Sequence, residues 1–302
     1  MMKKLLCFLI IVSIIFIGGY IFRDNITEFV FQKMLDDVEI SELKPNEYYR
    51  ATDYSYVQIT NDFEAKNYNH LMNIYYTIVN SGMESFIFKC DYDECIKDVE
   101  DISNNQILLS NINSFVHPYN NFSSIATKFD SLGIVELTIN KQYSDKQIKE
   151  LKLKSEEIIK NVVGTTSNSV DIIRKIHDYI IVNTKYDSDR SDLHKVNYSS
   201  DIAYGPLIEG YGLCGGYSDA MSIFLDYYNI PNFKIISENH AWNAVKINNK
   251  WYHLDLTWDD PITTSGKDVL KHDYFLINTQ KLYELESIQH NFDKEVFKEI
   301  AN

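Results

Sequence analysis

The sequence predicts an α+β protein in which a helix that starts at a cysteine is followed by an antiparallel hairpin. Three observations carry this. "GYGLCGGYSDAMSIFLDYYN" places Cys214 in a glycine-rich loop directly before Ala220, Met221, Phe224, Leu225 and Tyr228 at helical spacing. "ISENHAWNAVKINNKWYHLDLTWDDP" holds two strand-like runs joined by Asn248-Asn249, and asparagine tolerates the positive φ of a two-residue turn. The upstream part mixes short helical and strand patterns over about Tyr48 to Ile139.

The elements follow in order. Lys3 and Lys4 precede an uncharged run of 18 residues, Leu5 to Phe22, long enough to span a bilayer. Lysines before the run orient the N-terminus to the cytoplasm and the remainder outside the cell. Two readings stand: an uncleaved signal anchor over residues 1–23, or a signal peptide cut near Ile17-Gly18-Gly19. Residues 24–163 are expected to form an N-terminal α+β region of no assigned role. Within it, "EYYRATDYSYVQIT" reads as β-rich, "AKNYNHLMNIYYTIVNSG" as a helix ended by Gly82, and "GIVELTI" as a strand. Ser144 and Gln147 form a capping box for the next helix. "GTTSNS", Gly164 to Ser169, is a polar break, and residues 164–302 form the second domain. The helix after it carries Ile172, Ile173, Ile176, Tyr179 and Ile180 on one face, with His177 beside the stripe and expected at the surface or as a cap.

The chain has 302 residues and a net charge of −14, without a basic patch, so nucleic acid is excluded as a partner. Cys90 and Cys95 in "CDYDEC" are either a local disulfide or two ordinary thiols. Cys214 has no obvious partner. Of the 11 glycines, five lie between Gly205 and Gly216 around it. At a helix N-terminus the dipole favours a thiolate, and Gly215 and Gly216 would leave room for a substrate backbone. The same stretch also fits a buried structural cysteine.

The hairpin register adds to this. An Asn248-Asn249 turn pairs Ile247 with Lys250 and Trp242 with Asp255, so His240 and Asp255 are diagonal neighbours on one face. Cys214, His240 and Asp255 then form a thiol, base and orienting acid. His253 shares the face and is read as a packing residue. Trp242, Trp251 and Trp258 lie within this stretch, and Trp242 and Trp258 are expected as dry walls of the site.

"GLCGGYSDAMSIFLDYYNIP", "HAWNAVKINNKWYHLDLTWDDP" and "HDYFLIN" together resemble the transglutaminase-like superfamily in its bacterial exported form, over about Val170 to Asn278. The resemblance implies a papain-like core, with Cys214 as nucleophile, His240 as base and Asp255 as orienting acid. It also implies an oxyanion donor from upstream, for which Tyr186 and Tyr204 are the candidates. Animal members use calcium. "DSDRSD", Asp187 to Asp192, lacks the glycine and distal glutamate of an EF-hand and reads as a solvated loop, so neither metal nor cofactor is expected. The expected activity is a membrane-anchored extracellular thiol enzyme that makes an acyl-enzyme from peptide or glutamine amides, acting on a protein or peptide at the cell surface. A surface binding or scaffold module with a relic triad is the competing reading.

Overall fold

The computed structural model describes residues 40–261 and 269–301. The apolar run Leu5 to Phe22 lies outside them. Among the described residues no helix is long and apolar enough to cross a membrane.

The chain opens as extended coil rather than the expected β-rich segment at residues 47–60. Side chains, not a neighbouring strand, satisfy its backbone. Arg50 and Asn80 exchange backbone and amide bonds at 3.1 and 2.8 Å, Gln58 N donates to Asn73 Oδ1 at 2.8 Å, and Thr60 N donates to Thr77 Oγ1 at 3.0 Å. A coil so covered needs no sheet partner. Strand β1 (Glu64–Ala65) leads to helix α1 (Tyr68–Ser81), which Asn67 caps and Gly82 ends at φ 72°. Strand β2 (Ser85–Cys90) runs into helices α2 (Cys95–Asn104) and α3 (Gln106–Asn113). Cys90 and Cys95 are disulfide-bonded, with Cα atoms 5.6 Å apart. The pair meets because Cys90 ends a strand and Cys95 begins a helix, so no helical spacing separates them. Strands β3 (Phe122–Phe129) and β4 (Ile134–Lys141) complete a sheet of order β1-β2-β4-β3.

Helix α4 (Asp145–Ile158) carries the capping box of Ser144 and Gln147 and runs into a π-turn, Ile159–Val163. After the Gly164 break comes α5 (Ser169–Asn183), then β5 (Lys185–Tyr186) and the six-residue helix α6 (Ser188–Leu193). The "DSDRSD" stretch is therefore largely helical. Asp187 caps it and is buried, accepting a hydrogen bond from the Ser200 hydroxyl. Strand β6 (Tyr211–Gly212) pairs with β5, and α7 (Cys214–Tyr227) follows at once. Strands β7 (Asn232–Ile236), β8 (Ala241–Ile247) and β9 (Lys250–Leu254) form an antiparallel sheet, and α8 (Thr279–Leu285) lies beyond it. Helix on antiparallel sheet is the α+β arrangement the sequence predicts.

The β8–β9 turn has both asparagines at positive φ, 48° and 62°, and Ile247 pairs with Lys250. This is the type I′ geometry that matches strand twist. One hydrophobic cluster joins Tyr54, Phe86 and Phe115 of the N-terminal part to Phe233, Trp242 and Phe297 of the C-terminal part. It crosses the break at Gly164. A second cluster gathers α4, α5 and the buried face of α7. Through Asp219 on α7 the halves are also tied by polar bonds. This buried carboxylate accepts from Tyr143 Oη at 2.8 Å, Lys234 Nζ at 2.9 Å and Asn121 Nδ2 at 3.1 Å.

Candidate active site

Cys214 occupies the first turn of α7 and is partly exposed. Its neighbours fix where it points. Gly216 sits so close to the carbonyl oxygen of Ser200 that a Cβ there would approach it to 2.2 Å, and one on Gly215 would come within 2.9 Å of Asp201 O. Gly205 is as crowded, 2.4 Å from Tyr211 O by the same construction. The glycines therefore admit the protein's own 199–202 loop, not a substrate backbone. This corrects the expected role of Gly215 and Gly216 as room for substrate. Their function is to let α7 begin against that loop and to hold Cys214 at its tip.

Strand β8 fixes the imidazole. Asn243, buried in mid-strand, donates to Ser218 O and Ser222 Oγ at 3.0 Å each, clamping β8 onto α7. The β8–β9 register places His240 Nε2 at 2.5 Å from Asp255 Oδ2. The other ring nitrogen has no partner among the hydrogen bonds to carboxylates, and Cys214 is among the groups that act on the ring. Trp242 stacks on His240 with centroids 5.5 Å apart and planes 16° from parallel. The Trp242 indole donates to His253 Nδ1 at 2.9 Å. His253 must then keep its proton on Nε2, facing Thr279 Oγ1 at 3.1 Å. Burial first, and His290 second, push His253 down to about 3, so it stays neutral and structural.

Burial alone would discourage charge on His240. The Asp255 carboxylate, the bond to it and Cys214 outweigh burial and raise the imidazole to about 10. Burial likewise opposes the charge of Asp255, yet His240 and His290 hold it well below the usual carboxylate range. Its Oδ1 accepts the N–H groups of Thr257 at 2.9 Å and Trp258 at 3.1 Å, so all its lone pairs face donors.

A histidine that the sequence reading left out completes this cluster. His290, fully buried, reaches Asp255 Oδ2 with Nε2 at 2.9 Å and Glu286 Oε2 with Nδ1 at 2.9 Å. Both nitrogens face carboxylates, so the ring bridges Asp255 and Glu286. Tyr274 stacks on it at 5.4 Å and Trp258 packs at 5.5 Å. The Glu286–His290 spacing of four was the available signal, but no third residue near it in sequence marked it as functional.

The two oxyanion candidates separate. Tyr186 pairs in parallel with Gly212, two residues before Cys214. Burial mainly pushes its phenol up, against a hydrogen bond to Ser191 that lowers it, with a smaller contribution from Cys214. Tyr204 instead donates to Glu150 Oε2 at 2.6 Å and faces away, because its π-turn projects it onto α4. The opening N–H groups of α7 have no intrahelical acceptor and form the second natural donor set. A cavity of about 510 Å³, lined by Tyr48, Arg50, His117, Tyr119 and Asp226, lies at the other end of α7, roughly 18 Å along the axis from Cys214. It is not the catalytic cleft.

His177, expected at the surface, is fully buried, with Asp259 at 3.1 Å and Asp178 at 2.9 Å. The helical stripe placed it beside the apolar face. A carboxylate 82 residues away, invisible to that pattern, is what makes its burial affordable.

Residues 156–256 match the sequence model of the transglutaminase-like superfamily. No curated protein matches the chain. Among solved structures it is similar to a TGase, with 14% identity over 45% of this chain and 44% of that one and a TM-score of 0.35. It is also similar to a protein from Cytophaga hutchinsonii assigned provisionally as a cysteine protease, with 14% identity over 49% of this chain and 65% of that one and a TM-score of 0.27. The chain spans less than two thirds of the length of either.

Proposed function

We propose, from the match of residues 156–256 to the transglutaminase-like superfamily, that the protein is a thiol enzyme of acyl transfer, with Cys214 as nucleophile, His240 as base and Asp255 as orienting acid. The observation that carries the reading is the short bond between Asp255 and His240 Nε2. It leaves one imidazole nitrogen to exchange a proton with sulfur and fixes the ring's tautomer.

The steps follow from these groups. His240 takes the thiol proton, and the Cys214 sulfur attacks an amide carbon. The carbonyl oxygen gains charge beside the first N–H groups of α7 and the Tyr186 hydroxyl. The C–N bond breaks, and His240 returns the proton to the departing amine or ammonia. The acyl-thioester is then opened by water, giving a carboxylate, or by an amine, giving a new amide. We favour water, so a protease or deamidase rather than a crosslinking transglutaminase.

The substrate in this reading is a protein or peptide at the cell surface. Leu5 to Phe22 anchors the chain with its C-terminal part outside. The Cys90–Cys95 disulfide supports an oxidising compartment. The test offers a peptide library to the protein with and without an amine donor, and reads products by mass spectrometry. Products absent from Cys214→Ala support the reading. Equal products from the variant, or none from either, remove it.

A further inference from the structure

The proposed chemistry leaves a second set of titratable side chains unused. His177 and Asp178 are consecutive on α5, and His272 lies in the chain between β9 and α8. His177 Nδ1 faces Asp178 Oδ1 at 2.9 Å, and His272 Nε2 faces the same oxygen at 2.7 Å. The three atoms lie within 4.8 Å of one another. On its other side, His177 Nε2 meets Asp259 Oδ2 at 3.1 Å. Asp259 is buried and held by Tyr274 N at 3.0 Å. A neutral imidazole has one N–H. Both ring nitrogens of His177 face carboxylates, so with that one N–H the ring meets only one of them. A cation among Nδ1, Oδ1 and Nε2 turns these contacts into three bonds.

We propose that His177, Asp178 and His272 bind a late first-row divalent ion, with zinc the best match. Two imidazoles and one carboxylate, with water in the fourth position, are a recurrent zinc set. Ligand atoms about 2.0–2.1 Å from a tetrahedral ion stand roughly 3.3 Å apart. The present spacings of 2.9 and 2.7 Å must therefore widen by about half an ångström. The side chains that would move, Asp178 and His272, are 34% and 35% exposed and give the ion access to solvent. His177 is the fixed ligand, because Asp259 sets its tautomer and orientation in the manner of a carboxylate–histidine–metal arrangement. The ion would tie α5 to residues 271–275. Tyr274 in that segment accepts from Asp255 N at 3.2 Å, so the ion clamps the floor of the active site rather than taking part in the reaction.

The experiment uses the full chain carrying Cys214→Ala, so that no thiol competes. Zinc is titrated by calorimetry, and cobalt(II) by its visible absorption. One ion per chain is expected. His272→Ala and Asp178→Asn should each weaken binding at least about tenfold, and Asp259→Asn about 10- to 100-fold, with circular dichroism unchanged for His272→Ala. Absence of binding overturns the proposal. Binding unchanged in His272→Ala overturns it equally, as does an ion lost only on His290→Gln, which would sit at the other histidine cluster.

Discussion

Two histidine–carboxylate clusters lie on either side of one short stretch of backbone, linked where Asp259 N donates to Asp255 O at 3.3 Å. Each has two imidazoles on a single carboxylate oxygen: His240 and His290 on Asp255, His177 and His272 on Asp178. Their surroundings differ. Around Asp255 every member is buried, two backbone N–H groups cap the second oxygen, and a thiol waits across one ring. Around Asp178 the carboxylate and one imidazole are partly open to solvent, and the other imidazole faces a second carboxylate through its far nitrogen. Residue type alone does not decide between proton chemistry and metal binding. Burial and the accounting of protons at each nitrogen do.

The largest test of that contrast acts on the closed cluster. Cys214→Ala or His240→Ala should lower turnover by about 10⁴-fold or more, because triad members act as a unit. Alkylation of Cys214 by iodoacetamide, followed across pH, should lose its enhanced low-pH rate in His240→Ala. A variant alkylated like the wild type would show that the ring does not assist the sulfur. Stability carries a signature too. His240 is raised to about 10 when folded against about 6.5 unfolded, so its contribution is complete below pH 6.5 and fades as pH rises toward 10. Asp255, depressed when folded, contributes above about pH 4 and loses its contribution below that. The difference in Tm between wild type and His240→Ala should therefore be widest between about pH 4 and 6.5. A difference that grows above pH 8 would break the assignment.

How far the sequence revealed this depended on the range of each interaction. Cys214, His240 and Asp255 were legible because a helix start and a two-residue turn are local, and Asn248-Asn249 sets the hairpin register by itself. His290 and Asp259 were not, because their partners lie 35 and 82 residues away. Periodicity could place His177 on α5 but could not tell that a buried carboxylate would receive it. The glycines misled for a related reason. Their count signals close approach, and only the fold says that the approaching group is Ser200 and not a substrate. Residues 47–60 look like a strand by composition, yet α1 side chains took the bonds a strand would have made.

A middle-sized effect comes from His290. His290→Gln keeps a donor toward Asp255 but gives up the second one toward Glu286 and the stacked ring. Slight misplacement of Asp255 should cost about 10- to 100-fold in kcat with KM little changed, since a shift of about 1 Å at a catalytic group has that scale. A near-ultraviolet circular dichroism spectrum like that of wild type separates this from unfolding. A kcat within twofold of wild type would mean that Thr257 and Trp258 alone hold the carboxylate.

The smallest effect sits one bond further out. Glu286→Gln preserves the shape of the partner to His290 Nδ1, removes its charge, and turns one of its two acceptor oxygens into an amide donor. A charged acceptor is worth about 1 kcal/mol more than a neutral one. If all of that reached the transition state, the rate would fall about fivefold. Glu286 holds the 288–290 backbone as well as the ring, and its side-chain route to Asp255 is the His290 ring. In the background of His290→Gln, where that ring is gone, Glu286→Gln should therefore add nothing. A double variant slower than His290→Gln by the full factor seen in the single Glu286→Gln would show that the carboxylate acts by another route, and the chain from Glu286 to His240 would have to be redrawn.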